Sequence, residues 1–175
     1  MPKYSVMVAR FPGGGVEESD STDWLVQTIV KMKRDERISD IIPWKISDTP
    51  ITMGRNRCVQ QAIAGNTDYI LMLDSDNVPD MPYHGAKPFW DTSWEFILGH
   101  RDRPAIIAAP YCGPPPHENI YIFLWRGHQS PPPESDTPKG EISYSLEQFT
   151  REEAFRRGGI QEVAALPTGV CLFDT

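Results

Sequence analysis

The strongest constraint on the fold is an uninterrupted apolar run, Tyr69–Leu73, which leads directly into Asp74 and Asp76. Within it, Ile70–Leu73 is apolar at every position, so an extended segment would bury both of its faces. Burial on both faces is typical of a central strand in a parallel sheet with helices on either side. The run therefore predicts an α/β fold with a mainly parallel central sheet flanked by helices.

The first half of the chain alternates strand and helix patterns, which implies parallel strands joined by crossover helices. Strands are predicted over Tyr4–Ala9, Ile41–Ile46 and Asp68–Leu73, and helices over Asp23–Arg34 and Arg55–Ala64. The second helix is expected to turn Val59, Ala62 and Ile63 inward.

The second half is predicted to be mixed and richer in strands. Helices are predicted over Phe89–His100 and around Arg151–Arg157, and strands over Ala105–Pro110, Ile120–Trp125, Glu141–Leu146, Gln161–Leu166 and Gly169–Phe173. A proline-rich polar segment, residues 130–140, predicts a surface loop. Because no repeat or second composition is visible, residues 1–175 are predicted to form a single domain.

Composition excludes some classes of function. The chain has 17 basic and 24 acidic residues and a net charge of −7, which argues against binding nucleic acid. Its three cysteines, Cys58, Cys112 and Cys171, lack the spacing of a zinc site or disulfide framework, so a reducing compartment is expected. Without an apolar window of about 18 residues, no transmembrane segment is expected, and a cytoplasmic location is predicted.

The two aspartates raise an electrostatic question, because like charges repel unless a positive charge lies near them. Residues two apart on a near-extended chain project to one side, so both carboxylates could face one ion. Mn²⁺ and Mg²⁺ prefer oxygen ligands and keep open positions for substrate phosphates. Asp74 and Asp76 are therefore predicted to bind one of these metals. The alternative is a solvated acidic loop, since aspartate is common in turns.

The block Met53–Asp76, MGRNRCVQQAIAGNTDYILMLDSD, resembles the GT-A fold glycosyltransferases, especially the family 2-like group. There, an A-R-N stretch opens a helix, and an apolar strand carries an aspartate-x-aspartate motif. The resemblance implies a GT-A-like fold that binds a nucleotide-diphospho-sugar donor. It places Asp74, Ser75 and Asp76 on the donor, with the two aspartates holding its metal.

The same resemblance assigns further residues to the donor. Arg55 and Asn56 correspond to the family's R-N pair near the nucleotide diphosphate. For Arg55, the alternative is a helix-start arginine paired with some carboxylate. Asp48, in ISDTPITM, is the one counterpart of the acid that helps to hold the base.

A weaker match, LPTGVCLFDT, gives Gly169 the place of a glycine that lines the sugar or acceptor pocket. Ala9 and Arg10, at the end of the first strand, are also assigned to the nucleotide-sugar site, although Arg10 could be a solvated loop arginine. Residues 1–80 are thereby expected to form a nucleotide-binding half, and residues 81–175 an acceptor-side half.

The implied reaction transfers a hexose from the donor to a hydroxyl of a glycan, lipid or protein, with inversion and a carboxylate base. The family supplies that base beyond the Gly169 strand, where this chain ends. Asp174 is the candidate base here; otherwise the chain is a truncated or inactive form.

Two alternatives remain open. ILMLDSDNV also fits the signature of haloacid-dehalogenase-like phosphatases, in which Asp74 would be the nucleophile and Asp76 the acid/base. Against this, two strands precede the motif and no later aspartate pair supplies the metal. The other alternative is a non-catalytic module that binds a nucleotide sugar.

Overall fold

The structure, a computed structural model, describes residues 2–12, 19–45, 50–80, 87–111, 120–129, 142–157 and 159–175. The chain divides into two compact units, one formed by Met1–Ala109 with Thr168–Thr175, the other by Pro110–Pro167. The elements are β1 Tyr4–Phe11, α1 Ser19–Arg34, β2 Ile38–Lys45, α2 Ile51–Ala64, β3 Tyr69–Asp74, α3 Phe89–Gly99, β4 Ile106–Ala108, β5 Phe123–Gln129, β6 Ile142–Gln148, α4 Arg151–Arg157 and β7 Val170–Asp174. No helix in these ranges is long and apolar enough to cross a membrane.

The first unit contains a mixed sheet of five strands in the order β2-β1-β3-β7-β4. β1 pairs in parallel with β2 and with β3, whereas β7 runs antiparallel to β3 and β4. The predicted α/β class is thus confirmed, and β3 lies at the centre of the sheet. The polypeptide direction reverses at β7, which places the end of that strand beside the beginning of β3.

Both faces of β3 are buried, as its continuous apolar run predicts. Tyr69, Leu71 and Leu73 point into a core shared with α1 and α3, while Ile70 and Met72 point into a second core shared with α2. β3 is therefore held on both sides, and the position of Asp74 at its end is fixed by this packing.

Helix α2 packs on the sheet through small side chains. Gly54, Cys58 and Ala62 recur every four residues along one face and are buried. Ile63, expected to face inward, is instead 62% exposed, because it lies about 100° around the helix from that face. The helix also begins at Ile51, ahead of the predicted Arg55, which puts Arg55 in its second turn.

Most predicted elements are present, with shifted ends. The predicted strand Gln161–Leu166 is wrong: only Ala165 forms an isolated bridge, to Phe123. The backbone of this segment forms a loop that exchanges hydrogen bonds with Phe123. The Phe123 N–H donates to Ala165 O (3.0 Å), and the Ala164 N–H donates to Phe123 O (2.8 Å). Among the described residues, this segment therefore pairs at a single position and forms no ladder with another strand.

The second unit contains an antiparallel hairpin of β5 and β6, followed by α4. A capping box begins this helix: the Glu153 N–H donates to Thr150 Oγ1 (3.2 Å), and the Thr150 N–H donates to a Glu153 carboxylate oxygen (3.0 Å). Arg126 on β5 forms a salt bridge with Glu147 on β6 (2.9 Å) and another with Glu153.

A polar network joins the end of α1 to α3 within the first unit. Asp35 accepts hydrogen bonds from Arg37 Nη2 (2.7 Å) and Trp94 Nε1 (2.9 Å), and Arg37 also pairs with Glu95 (2.6 Å). The hydrogen bond from Arg37 lowers the pKa of Asp35 to about 2, against partial desolvation that raises it. Asp35 is thus ionised throughout the ordinary pH range and connects two helices.

Asp35 should make stability depend on acidity. Because its folded pKa lies below its unfolded one, its contribution is present above the unfolded pKa and is lost as pH falls through about 2. We expect Asp35→Asn to lower the free energy of unfolding by about 1–2 kcal/mol at pH 7 and by much less near pH 2.5. Urea unfolding across this range tests it, with Asp40→Asn on β2 as the control; an Asp35→Asn deficit that does not shrink in acid would contradict the prediction.

Candidate functional site

Asp74 is the last residue of β3, and it lies at the edge of the sheet where the parallel strands β1, β2 and β3 all end. In the register of β1 and β3, Asp74 is paired with Phe11. Ligands of open α/β sheets collect beyond this carboxyl edge, because the connecting loops leave a crevice there. The structure therefore places the first aspartate of the pair where a ligand would be expected.

Arg55 reaches the same edge from α2. The chain passes from β2 through α2 to β3, so the helix begins near the carboxyl ends of the strands and runs back towards their beginnings. From the second turn, Arg55 Nη2 donates to both Asp74 oxygens (2.8 and 2.7 Å) and to the carbonyl oxygen of Thr168 (3.2 Å). The positive charge beside Asp74 in this structure is thus an arginine.

The pair is largely buried, since the side chain of Arg55 is 20% exposed and that of Asp74 is 17% exposed. Burial raises the pKa of Asp74 above its usual value; the Arg55 hydrogen bond and charge lower it, and the charge of Asp76 raises it. The net direction is upward, because one arginine does not offset both desolvation and a second carboxylate. The charged form of Asp74 is therefore less favourable at this site than in water, even with Arg55 beside it.

Arg55 does not use its full hydrogen-bonding capacity. Its buried Nε has no hydrogen-bond partner among the described residues, although Nη2 makes the contacts to Asp74 and Thr168. The guanidinium also lies 5.7 Å from the centre of the Phe11 ring. A guanidinium has five N–H donors that suit oxyanions. Arg55 therefore keeps N–H groups that could donate hydrogen bonds to a bound phosphate.

Asp76 lies in the turn after β3 and is exposed, unlike Asp74. Its Oδ1 accepts a hydrogen bond from Asn77 Nδ2 (2.8 Å). Between the aspartates, Ser75 is buried and its N–H donates to Phe11 O (3.3 Å), which ties this turn to the end of β1. The segment therefore presents one largely buried and one exposed carboxylate at the same edge.

Three other residues assigned to the donor site lie on β1 and α2. Ala9 is fully buried in the second core. Arg10 donates from Nη2 to Thr22 Oγ1 (3.3 Å), and Asn56 is exposed on α2 next to Arg55. Asp48 lies outside the described residues.

Asp174, the candidate base, is at the opposite edge of the sheet. Because β7 is antiparallel to β3, Asp174 is paired with Tyr69, at the start of β3, five residues and about 16 Å from Asp74. Asp174 borders a cavity of about 480 Å³ there, together with Asp68 and Arg101. The structure does not bring Asp174 together with the acidic pair, so it has no place in the catalytic arrangement proposed below.

Two residues of the site were missed from the sequence. Thr168 supplies a carbonyl to Arg55, and Asn77 supplies an amide to Asp76. Asn77 directly follows the motif, and an asparagine in that position was a usable signal. A backbone carbonyl leaves no trace in residue type, so Thr168 had none.

The described residues hold no group of three or more histidine, cysteine or acidic side chains that could bind a metal. The acidic pair therefore offers two carboxylate ligands and would leave other positions of a cation to solvent or ligand.

No protein-family model, curated protein or solved structure matches this chain.

Proposed function

We propose that the chain is a metal-dependent glycosyltransferase of the GT-A type, which moves a sugar from a nucleotide-diphosphate donor to an acceptor hydroxyl. The observation that carries the proposal is the joint position of Asp74, Asp76 and Arg55 at the carboxyl edge of the central parallel strands. Asp74, Asp76 and Arg55 taken together carry one more negative than positive charge, which favours a cation beside the two carboxylates. The guanidinium suits the anionic partner of that cation.

The residues present fit Mn²⁺ or Mg²⁺. Both donors are hard carboxylate oxygens, and Asp74 keeps lone pairs free, because a carboxylate has about four acceptor positions and Arg55 uses two. When bound, such a cation acts as a Lewis acid towards the departing diphosphate. Asp74 and Asp76 would hold it from the end of β3.

Arg55 would orient the donor. Its Nη2 bridges Asp74 and Thr168, while its buried Nε meets no hydrogen-bond partner in the described part of the chain, an arrangement that leaves a costly polar group unsatisfied there. If a diphosphate bound at this edge, the guanidinium could move to its oxygens and satisfy these donors in a bidentate contact. Arg55 would then neutralise phosphate charge, and the cation would replace it beside Asp74.

The position of the motif disfavours the phosphatase alternative. The haloacid-dehalogenase-like signature lies on an early strand, whereas this motif ends β3, the third strand of the chain. A module that binds the nucleotide sugar without turnover shares the site and is separated by experiment.

Metal binding tests the proposal first. We expect Mn²⁺ to bind the protein, observed as loss of the free-ion electron paramagnetic resonance signal. Asp76→Asn should weaken that binding by about tenfold or more, since one of two charged ligands is lost. Asp40→Asn, on β2 near the opposite edge, is the matched control and should bind as the unaltered protein does. Equal Mn²⁺ affinity in Asp76→Asn would overturn the proposal.

Donor use is tested separately. A panel of nucleotide sugars, with and without Mn²⁺, should contain one that stabilises the protein against heat only when the metal is present. Hydrolysis of that donor indicates a transferase, and hydrolysis of a generic phosphate ester instead indicates the phosphatase. Stabilisation without turnover of either would indicate the binding module.

A further inference from the structure

The turn after β3 contains a contact whose role differs from the one expected for Gly169. This glycine is buried immediately before β7, and its carbonyl oxygen accepts a hydrogen bond from the Asp74 N–H (2.7 Å). A Cβ atom built on it would lie 2.8 Å from Asn77 Nδ2 and 2.9 Å from both Asn77 Cγ and Oδ1. All three contacts are closer than real Cβ atoms allow, so the Asn77 amide fills the space that a side chain at position 169 would need.

The same amide holds Asp76. Asn77 Nδ2 donates to Asp76 Oδ1 (2.8 Å), and the Asn77 N–H donates to the Asp74 carbonyl oxygen (3.2 Å). An exposed aspartate ordinarily samples several rotamers, and a hydrogen bond from a neighbour that is itself packed in place restricts them. The Asn77 amide is packed against Gly169. The backbone of Gly169 is in turn hydrogen-bonded to Asp74 at the end of β3.

We infer that Asn77 is a positioning residue that orients Asp76, and that residue 169 is glycine because the Asn77 amide occupies its side-chain space. Gly169 thus acts on the acidic pair through Asn77. The consequence for metal binding rests on the proposed function, whereas the contact itself does not. An Asp76 side chain that is already oriented loses less conformational entropy when it coordinates a cation. The hydrogen bond from Asn77 should therefore raise the affinity for the cation.

The contact is tested in the metal-free protein by nuclear magnetic resonance of the Asn77 side-chain amide, assigned by its absence in Asn77→Ala. We expect Asp76→Ala and Gly169→Ala each to move this signal towards the position of a solvated asparagine. The closest atoms to the added methyl group all belong to the Asn77 side chain, so Gly169→Ala should stay folded, as a thermal scan checks. An amide signal unmoved by Asp76→Ala, or by a folded Gly169→Ala, would overturn the inference.

The consequence is tested by Mn²⁺ titration. Asn77→Ala and Gly169→Ala should each weaken Mn²⁺ binding by about tenfold, the lower end of the effect known for groups that orient a metal ligand. The double variant Asn77→Ala/Gly169→Ala should bind as Asn77→Ala alone, because a residue that acts through Asn77 has no effect once the amide is gone. Losses that multiply in the double variant would overturn the inference. Failure of the unaltered protein to bind Mn²⁺ would instead reject the proposed function, and the amide signal would still decide whether Asn77 holds Asp76.

Discussion

Replacing Arg55 with methionine is expected to lower the free energy of unfolding by about 3 kcal/mol at pH 7, because it leaves Asp74 charged, buried and without a partner. Methionine keeps the apolar stem and removes the guanidinium that contacts both Asp74 oxygens and Thr168 O. The expected loss is at the lower end for buried pairs, since both side chains retain about a fifth of their exposure. Urea unfolding measures it.

The loss should depend on pH in a defined direction. Burial raises the folded-state pKa of Asp74 above the unfolded value, so the stability linked to this group is full below the unfolded pKa and is lost as pH rises through the folded one. Arg55 lowers that folded pKa, and its removal raises it further. The deficit of Arg55→Met should therefore shrink as the pH is lowered from 7 towards 4.

Two further variants separate charge from packing. Asp74→Asn in the Arg55→Met background removes the unpaired charge and should recover most of the lost stability, which makes the two positions strongly coupled in a double-mutant cycle. Arg57→Met changes an exposed arginine two residues along the same helix and should have little effect. If Arg55→Met is as stable as Arg57→Met, the pair does not hold the end of β3 as described.

The Arg55–Asp74 pair also shows how far the sequence could predict the site. The apolar run Tyr69–Leu73 predicted a central strand, and that strand necessarily carries Asp74 to the carboxyl edge. The expected positive partner was a metal, and an arginine paired with some carboxylate was the alternative for Arg55. The carboxylate that Arg55 contacts depends on where α2 begins. Glycine is unfavourable within a helix, so Gly54 made a helix start before Arg55 difficult to predict. Gly54 lies on the buried face of α2, in line with Cys58 and Ala62.

Strand direction was the feature that the sequence left undetermined. A strand at Gly169–Phe173 was predicted, but its pattern does not state whether it runs parallel or antiparallel to β3. The antiparallel pairing observed puts Gly169 beside Asp74 and Asp174 beside Tyr69. One reversal therefore separates two residues that are close in sequence, and it removes Asp174 from the candidate site. Such pairing is non-local, so no window of sequence contains it.

The largest effect on stability is expected at Trp94 in the first core. This side chain is 2% exposed and makes edge-to-face contacts with Tyr4 (5.9 Å) and Tyr69 (5.1 Å) and a stacked contact with Trp90 (5.2 Å). Trp94→Ala would leave a large cavity beside β1 and β3 and remove a donor to Asp35, at a cost of about 4 kcal/mol or more. Denaturant unfolding followed by circular dichroism measures the change.

Trp94→Phe divides this cost into its parts. Phenylalanine keeps an aromatic ring for the contacts with Tyr4 and Tyr69 and lacks the indole N–H that donates to Asp35 (2.9 Å), so the loss should be about 1–2 kcal/mol. Trp125→Ala is the matched control, because this tryptophan is 63% exposed and its replacement should change stability by no more than about 0.5 kcal/mol. A Trp94→Ala protein that unfolds with the Trp125→Ala midpoint would show that α3 does not pack on β1 and β3 through this ring. Because this packing holds β3 in place, the position of Asp74 at the end of β3 would then lose its structural support as well.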